Sequence, residues 1–176
     1  GVEETTVVAL ADPDDRGRVG ALERTGAKTG YADYREMLDR EQPEIVVVAT
    51  REVGDHRDIV IDVAQRGAHI YLEKPAAATP EEVVQMNEAC DRNGCLLVLA
   101  HPWRGHPPIQ HTAIPLIRSG KIGEPRLARL YGMNGYAKGG NQYFLDLYPH
   151  FFDFLWQIAG SPLWCQAHIT KDGRSV

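Results

Sequence analysis

Short runs of apolar residues alternate along this chain with longer stretches in which apolar positions recur every three or four residues. Val7 to Ala11 reads as a short buried strand, and Asp14 to Thr25 as a helix closed by the turn signal Thr25-Gly26. The pattern then repeats. Glu44 to Thr50 is a β-branched run, Asp55 to Arg66 a helical stretch stopped by Gly67, and His69 to Leu72 a further short strand. After Pro80 a helix with apolar Val83, Val84, Met86 and Ala89 runs to Gly94, and Leu96 to Ala100 is the next strand. Strands and helices in this alternation signal βαβ units, whose parallel sheet is expected to be buried on both faces. Right-handed crossovers make a doubly wound sheet the default topology.

From Pro102 the rhythm changes, and a second domain is expected to begin. A Pro-rich connection leads to a helix over Gln110 to Ser119, a Gly-rich turn and an alternating strand over Arg126 to Met133. A loop from Gly135 to Asn141, a helix over Leu145 to Ala159 and a strand over Cys165 to Thr170 complete the prediction.

Composition adds constraints. The 43% hydrophobic content suits a packed core, and the net charge of -5, with both signs interspersed, gives no footprint for nucleic acid or an anionic membrane. The apolar runs are too short to span a bilayer. Cys90, Cys95 and Cys165 lack Cys-x-x-Cys spacing and are expected to be buried free thiols in a reducing compartment, here the cytoplasm. No signal peptide is visible at Gly1; an export signal ahead of it would lie outside this sequence.

In parallel sheets ligands bind at the carboxyl ends of strands, which singles out Asp12, Thr50 and the run Glu73-Lys74-Pro75. A carboxylate at Asp12 can accept from both ribose hydroxyls of an adenosine and repels a 2′-phosphate; the alternative is that Asp12 or Asp14 caps the following helix. Pro75 restricts the backbone at Lys74, so that ammonium can be held towards a substrate hydroxyl; the alternative is a solvated surface lysine. Asp146 and His150 lie four apart, on one face of an otherwise apolar helix, where a carboxylate can orient an imidazole that exchanges a proton; a core histidine satisfied by its neighbour is the alternative. Arg104, beside Trp103, is a candidate for an anionic group or a structural ion pair. Arg118 and Lys121 are expected near the C-terminus of their own helix, complementing its dipole. His101, His106 and His111 recur every five residues, which aligns no helix face, and no metal site is assigned.

Taken together the segments resemble the Gfo/Idh/MocA oxidoreductase family: Ala-Asp-Pro-Asp, Tyr31-Ala-Asp-Tyr34, Val-Val-Val-Ala-Thr50 with His56 following, Glu73-Lys74-Pro75, Ser119 to Pro125, and Asp146 to His150. The resemblance implies a Rossmann domain over 1–103, lacking its first strand and glycine-rich loop, and over 104–176 the start of an α+β substrate domain with a large open sheet and a homo-oligomer interface. It implies hydride transfer between NAD, with NADP as the alternative, and a hydroxyl carbon of a sugar, polyol or related small molecule. Lys74, Asp146 and His150 would then be catalytic, while Asp12, Thr50, His56, Glu73, Lys74, Pro75 and Arg104 would line the cofactor site. A redox-neutral lyase or glycoside hydrolase with bound NAD, or a non-catalytic protein of the same fold, are the other readings. The family's phosphate loop is expected ahead of Val7 and the rest of its substrate domain beyond Val176, so the chain alone is expected to bind cofactor poorly and to be inactive.

Overall fold

The computed structural model describes residues 5–130, 142–166, 168, 170–171 and 174–175, the side chains of 142–147 and 170–175 excepted. The chain divides into two compact units, Gly1–Ala100 and His101–Val176.

In the first unit β1 (Ala9–Ala11) pairs in parallel with β2 (Thr29–Tyr31), Leu10 opposite Gly30. A second parallel sheet has the order β3-β4-β5, from Ile45–Val48, His69–Leu72 and Leu97–Leu99, with Val46 opposite Ile70 and Ile70 opposite Leu97. Four helices connect these strands: α1 (Asp15–Thr25), α2 (Tyr34–Glu41), α3 (His56–Gln65) and α4 (Pro80–Asn93). Local chemistry sets their ends. The Asp14 carboxylate accepts from Gly17 N at 2.7 Å to start α1, and the Thr79 hydroxyl accepts from Glu82 N at 3.2 Å to start α4. Gly94, at φ 67°, closes α4 in the left-handed region that glycine adopts without a Cβ clash.

The parallel α/β architecture expected from the sequence is present, with three differences. The strand expected over Val7 to Ala11 is confined to Ala9–Ala11, and Val7 and Val8 ahead of it are exposed. The pair β2 and α2 is additional: Thr29-Gly30-Tyr31 is too short and polar to register as a strand, and among the residues of α2 only Leu38 is fully buried. The β3-β4-β5 sheet, expected to be covered on both faces, is covered on one. Val46, Val48, Ile70 and Leu72 point to the side where Val60, Val63, Met86 and Cys90 of α3 and α4 form the core. Ile45, Val47, Tyr71 and Val98 face the other way and are exposed. Neither remaining helix covers that outer face: α1 packs on β1 and β2, while α2 touches those strands and sends Leu38, Tyr34 and Met37 to the already covered core.

In the second unit a single 3₁₀ turn, Pro102–Gly105, precedes a π-helical turn at Ile109–Ala113 and the short helix α5 (Ile114–Arg118), where one continuous helix was expected. The long helix α6 spans Gln142–Ala159 around Pro149. Trp103 packs on it, its ring 5.3 Å from Phe151 and 5.9 Å from Phe154. The expected strand Arg126 to Met133 is not formed over 126–130, where Leu127 is 77% exposed; the remainder, and the loop Gly135 to Asn141, lie outside the described residues. An alternating pattern makes a strand only when a neighbour pairs with it. Of the strand expected over Cys165 to Thr170, the described residues Cys165, Gln166 and His168 are not in a strand, and Thr170 opens β6 (Thr170–Lys171), which pairs antiparallel with β7 (Arg174–Ser175). Cys90 and Cys95 are buried free thiols as expected, but Cys165 is exposed, because it follows the exposed Leu163 and Trp164 rather than entering a sheet.

Candidate cofactor and catalytic residues

At the carboxyl ends of β3 and β4 the sequence-predicted residues Thr50, His56, Glu73, Lys74 and Pro75 come together. Leu72, fully buried, anchors the end of β4, and the next residue continues the ladder by donating Glu73 N to Val48 O at 2.9 Å. Glu73 folds back so that its carboxylate accepts from Lys74 N at 3.1 Å. The Lys74–Pro75 peptide is cis.

His56 fixes this loop from beneath. Its side chain is 1% exposed at the start of α3. Its Nδ1 lies 3.0 Å from Pro75 O and 3.2 Å from Ala76 O, and its Nε2 lies 3.2 Å from Thr50 O. The buried ring thus sits between the backbone after β3 and the backbone after β4, donating to one of them through whichever nitrogen carries the proton. The sequence pointed to His56 as a residue lining a cleft; in this unit its ring contacts are to the carbonyls that support the loop.

Asp12 ends β1. Its backbone N–H donates to Tyr31 O at 3.0 Å, and its Oδ1 accepts from Asp14 N at 2.9 Å, while Asp14 caps the helix. The second oxygen, Oδ2, lies where a Cβ on Gly17 would stand only 2.6 Å away. Gly17 was not singled out from the sequence, although an isolated glycine inside a helical pattern is a signal for close approach. A half-buried carboxylate cradled by glycine at a strand's carboxyl end has the acceptor chemistry that a vicinal ribose diol requires. The residues present fit that part of a dinucleotide.

The second unit holds His150 and Arg104. His150 Nδ1 lies 3.3 Å from His101 Nδ1, with the rings edge to face and centroids 5.5 Å apart. Trp103 lies 6.3 Å from the His150 ring. Burial and the neighbouring Arg104 push the His101 imidazole below its ordinary range, against the opposing pull of Asp153. Arg104 forms a forked pair with Asp153, Nε to Oδ1 at 2.9 Å and Nη2 to Oδ1 at 2.5 Å, and Gln157 Nε2 also donates to that carboxylate at 2.9 Å. The Asp153 side chain is 6% exposed and that of Arg104 48%, so any anion reaching the guanidinium would share it with Asp153. Asp153 and the two-histidine contact were not legible in the sequence, since their partners are 49 residues away. Arg118 ends its own helix, α5, as expected, but its guanidinium donates to Gln157 O near the C-terminus of a different helix, α6. The Asp146 side chain lies outside the described residues.

Parallel strands joined by helices, with an acidic residue after β1 and polar residues gathered after β3 and β4, define a nucleotide-binding α/β protein. Residues 2–101 match the GFO_IDH_MocA family, described as the oxidoreductase family with NAD-binding Rossmann fold, and the chain belongs to it. It is similar to the D-apiose dehydrogenase of Paraburkholderia graminis, at 33% identity over 129 residues that make up 73% of this chain and 34% of the relative. It is also similar to the rhizopine catabolism protein MocA of Rhizobium meliloti, at 29% identity over 88% of this chain and 49% of the relative. A solved structure, the WlbA dehydrogenase from Bordetella pertussis in complex with NADH and UDP-GlcNAcA, superposes with a TM-score of 0.70 at 27% identity, covering 88% of this chain and 48% of that one. The chain thus spans a third to a half of the length of these relatives. Among the described residues no helix is long and apolar enough to cross a membrane.

Proposed function

We propose that the whole protein is an NAD-dependent dehydrogenase that oxidises a hydroxyl carbon of a sugar, polyol or related small molecule. The observation that carries this is the support of the Glu73-Lys74-Pro75 loop by the buried His56 at the ligand edge of a parallel sheet. The similarity to the apiose dehydrogenase supports the substrate class. When bound, NAD supplies the acceptor for the hydride that leaves the alcohol carbon.

The protein's own groups manage the other half of the reaction. The Lys74 ammonium donates a hydrogen bond to the substrate oxygen and stabilises its alkoxide character. The His150 imidazole accepts the hydroxyl proton, and Asp146 binds substrate or relays that proton onward. Asp12 accepts from the adenosine ribose hydroxyls, favouring NAD over NADP, while Thr50, Glu73 and Pro75 form the wall of the cofactor cleft, supported from beneath by His56. Loss of one hydride and one proton leaves a carbonyl product.

The test is cofactor reduction by the full-length protein over a panel of sugars and polyols, followed by Lys74→Met and His150→Ala. Losses of about 10²-fold or more in kcat are expected for each. Unchanged rates in both variants refute the assignment.

A further inference from the structure

Two imidazoles meet in the second unit, and the contact constrains where their protons are. The His101 and His150 Nδ1 atoms are 3.3 Å apart. Two bare lone pairs would repel at that distance, and two N–H groups would collide, so one proton lies between them, on one ring and directed at the other.

We propose that His101 is a positioning residue for His150: its Nδ1 accepts the Nδ1–H of His150, which leaves His150 Nε2 as the nitrogen that takes up the substrate proton. The inference rests on the proposed proton exchange at His150, and it assigns the atom at which that exchange occurs.

Surroundings favour this direction over the reverse. His101 is half-buried, and both its burial and the nearby Arg104 guanidinium disfavour its cationic form, while Asp153 acts in the opposite sense. A ring kept neutral can remain an acceptor throughout turnover. When His150 Nε2 takes a proton, the Nδ1–H of the resulting imidazolium still has the neutral His101 to donate to, and the charge is stabilised without rearrangement. Were His101 the donor, neutral His150 would carry its own proton on Nε2, which could then take up no other. The two rings meet edge to face, with an interplanar angle of 88°, and Trp103 borders the His150 ring. His101 thus does for His150 what an orienting acceptor does for any histidine base, holding one tautomer.

The experiment uses the full-length protein. In ¹⁵N-edited spectra of the wild type, neutral His150 is expected to carry its proton on Nδ1, and the opposite tautomer would overturn the inference. In kinetics, His101→Phe keeps a ring but removes the acceptor, and kcat is expected to fall about 10- to 100-fold while substrate KM stays within about twofold. His101→Asn, whose Oδ1 can accept, should restore most of kcat. If His150→Ala abolishes turnover while His101→Phe leaves kcat unchanged, the inference is overturned and the proposed function stands. If His150→Ala leaves turnover intact, the proposed role of His150 fails, and the tautomer in the wild type alone decides what His101 does.

Discussion

Replacing His56 by Leu keeps a side chain of similar volume in a site that is 1% exposed, so little cavity forms and the cost falls on hydrogen bonds. The ring reaches Pro75 O, Ala76 O and Thr50 O at 3.0, 3.2 and 3.2 Å. A neutral imidazole has one N–H, so one bond, shared between neighbouring carbonyls, is lost at a time. Stranding a buried acceptor costs about 1–3 kcal/mol. Thr50 is exposed and Pro75 and Ala76 are half-buried, so water can replace part of the bond and the lower half of that range applies, about 1–2 kcal/mol. Hydrogen exchange on the full-length protein reads the effect locally. Backbone amides in 50–56 and 73–79 should exchange about 5- to 30-fold faster in His56→Leu, with helix α4 unaffected. His56→Asn, which keeps a donor, should recover part of the protection. Exchange in the two loops within twofold of wild type would refute the claim that this imidazole holds them together.

Arg104→Ala leaves the Asp153 carboxylate with Gln157 as its remaining side-chain donor among those described, and should destabilise the second unit by about 2–3 kcal/mol in urea unfolding; Arg104→Met with Asp153→Leu should recover most of that. Because folding lowers the His101 pKa below its ordinary 6.5, the unfolded chain binds the extra proton first as pH falls. The corresponding stability is therefore complete above about pH 6.5 and is lost as pH drops through the depressed value, and His101→Asn should flatten that limb of a stability-against-pH curve. Cys165 should react with a maleimide in the native protein, whereas Cys90, whose thiol is pushed up mainly by burial, and Cys95 should label only on unfolding, as peptide mass spectrometry would show.

The parts of the fold legible from sequence were those with a strong local pattern. Val46, Val48, Ile70 and Leu72 lie in apolar runs bounded by turn residues, and α4 announces itself through Thr79, Pro80 and Gly94. Thr29-Gly30-Tyr31 is a strand because Ala9 to Ala11 pairs with it, a fact no window of sequence contains. Arg126 to Leu130 shows the converse, alternation with no pairing. The site divides the same way. Asp12 and Lys74 were singled out by their position after strands, where the structure has them, whereas the Arg104–Asp153 pair and the His101–His150 contact depend on partners brought in by folding.

The bare side of the β3-β4-β5 sheet has a practical corollary. Ile45, Val47, Tyr71 and Val98 offer water a contiguous greasy surface on three hydrogen-bonded strands, the kind of surface that drives unintended association. A polypeptide of these 176 residues produced by itself should bind hydrophobic dyes and come out of solution at modest concentration, and a polar replacement at Val47 should keep it dispersed without loosening the core on the opposite side.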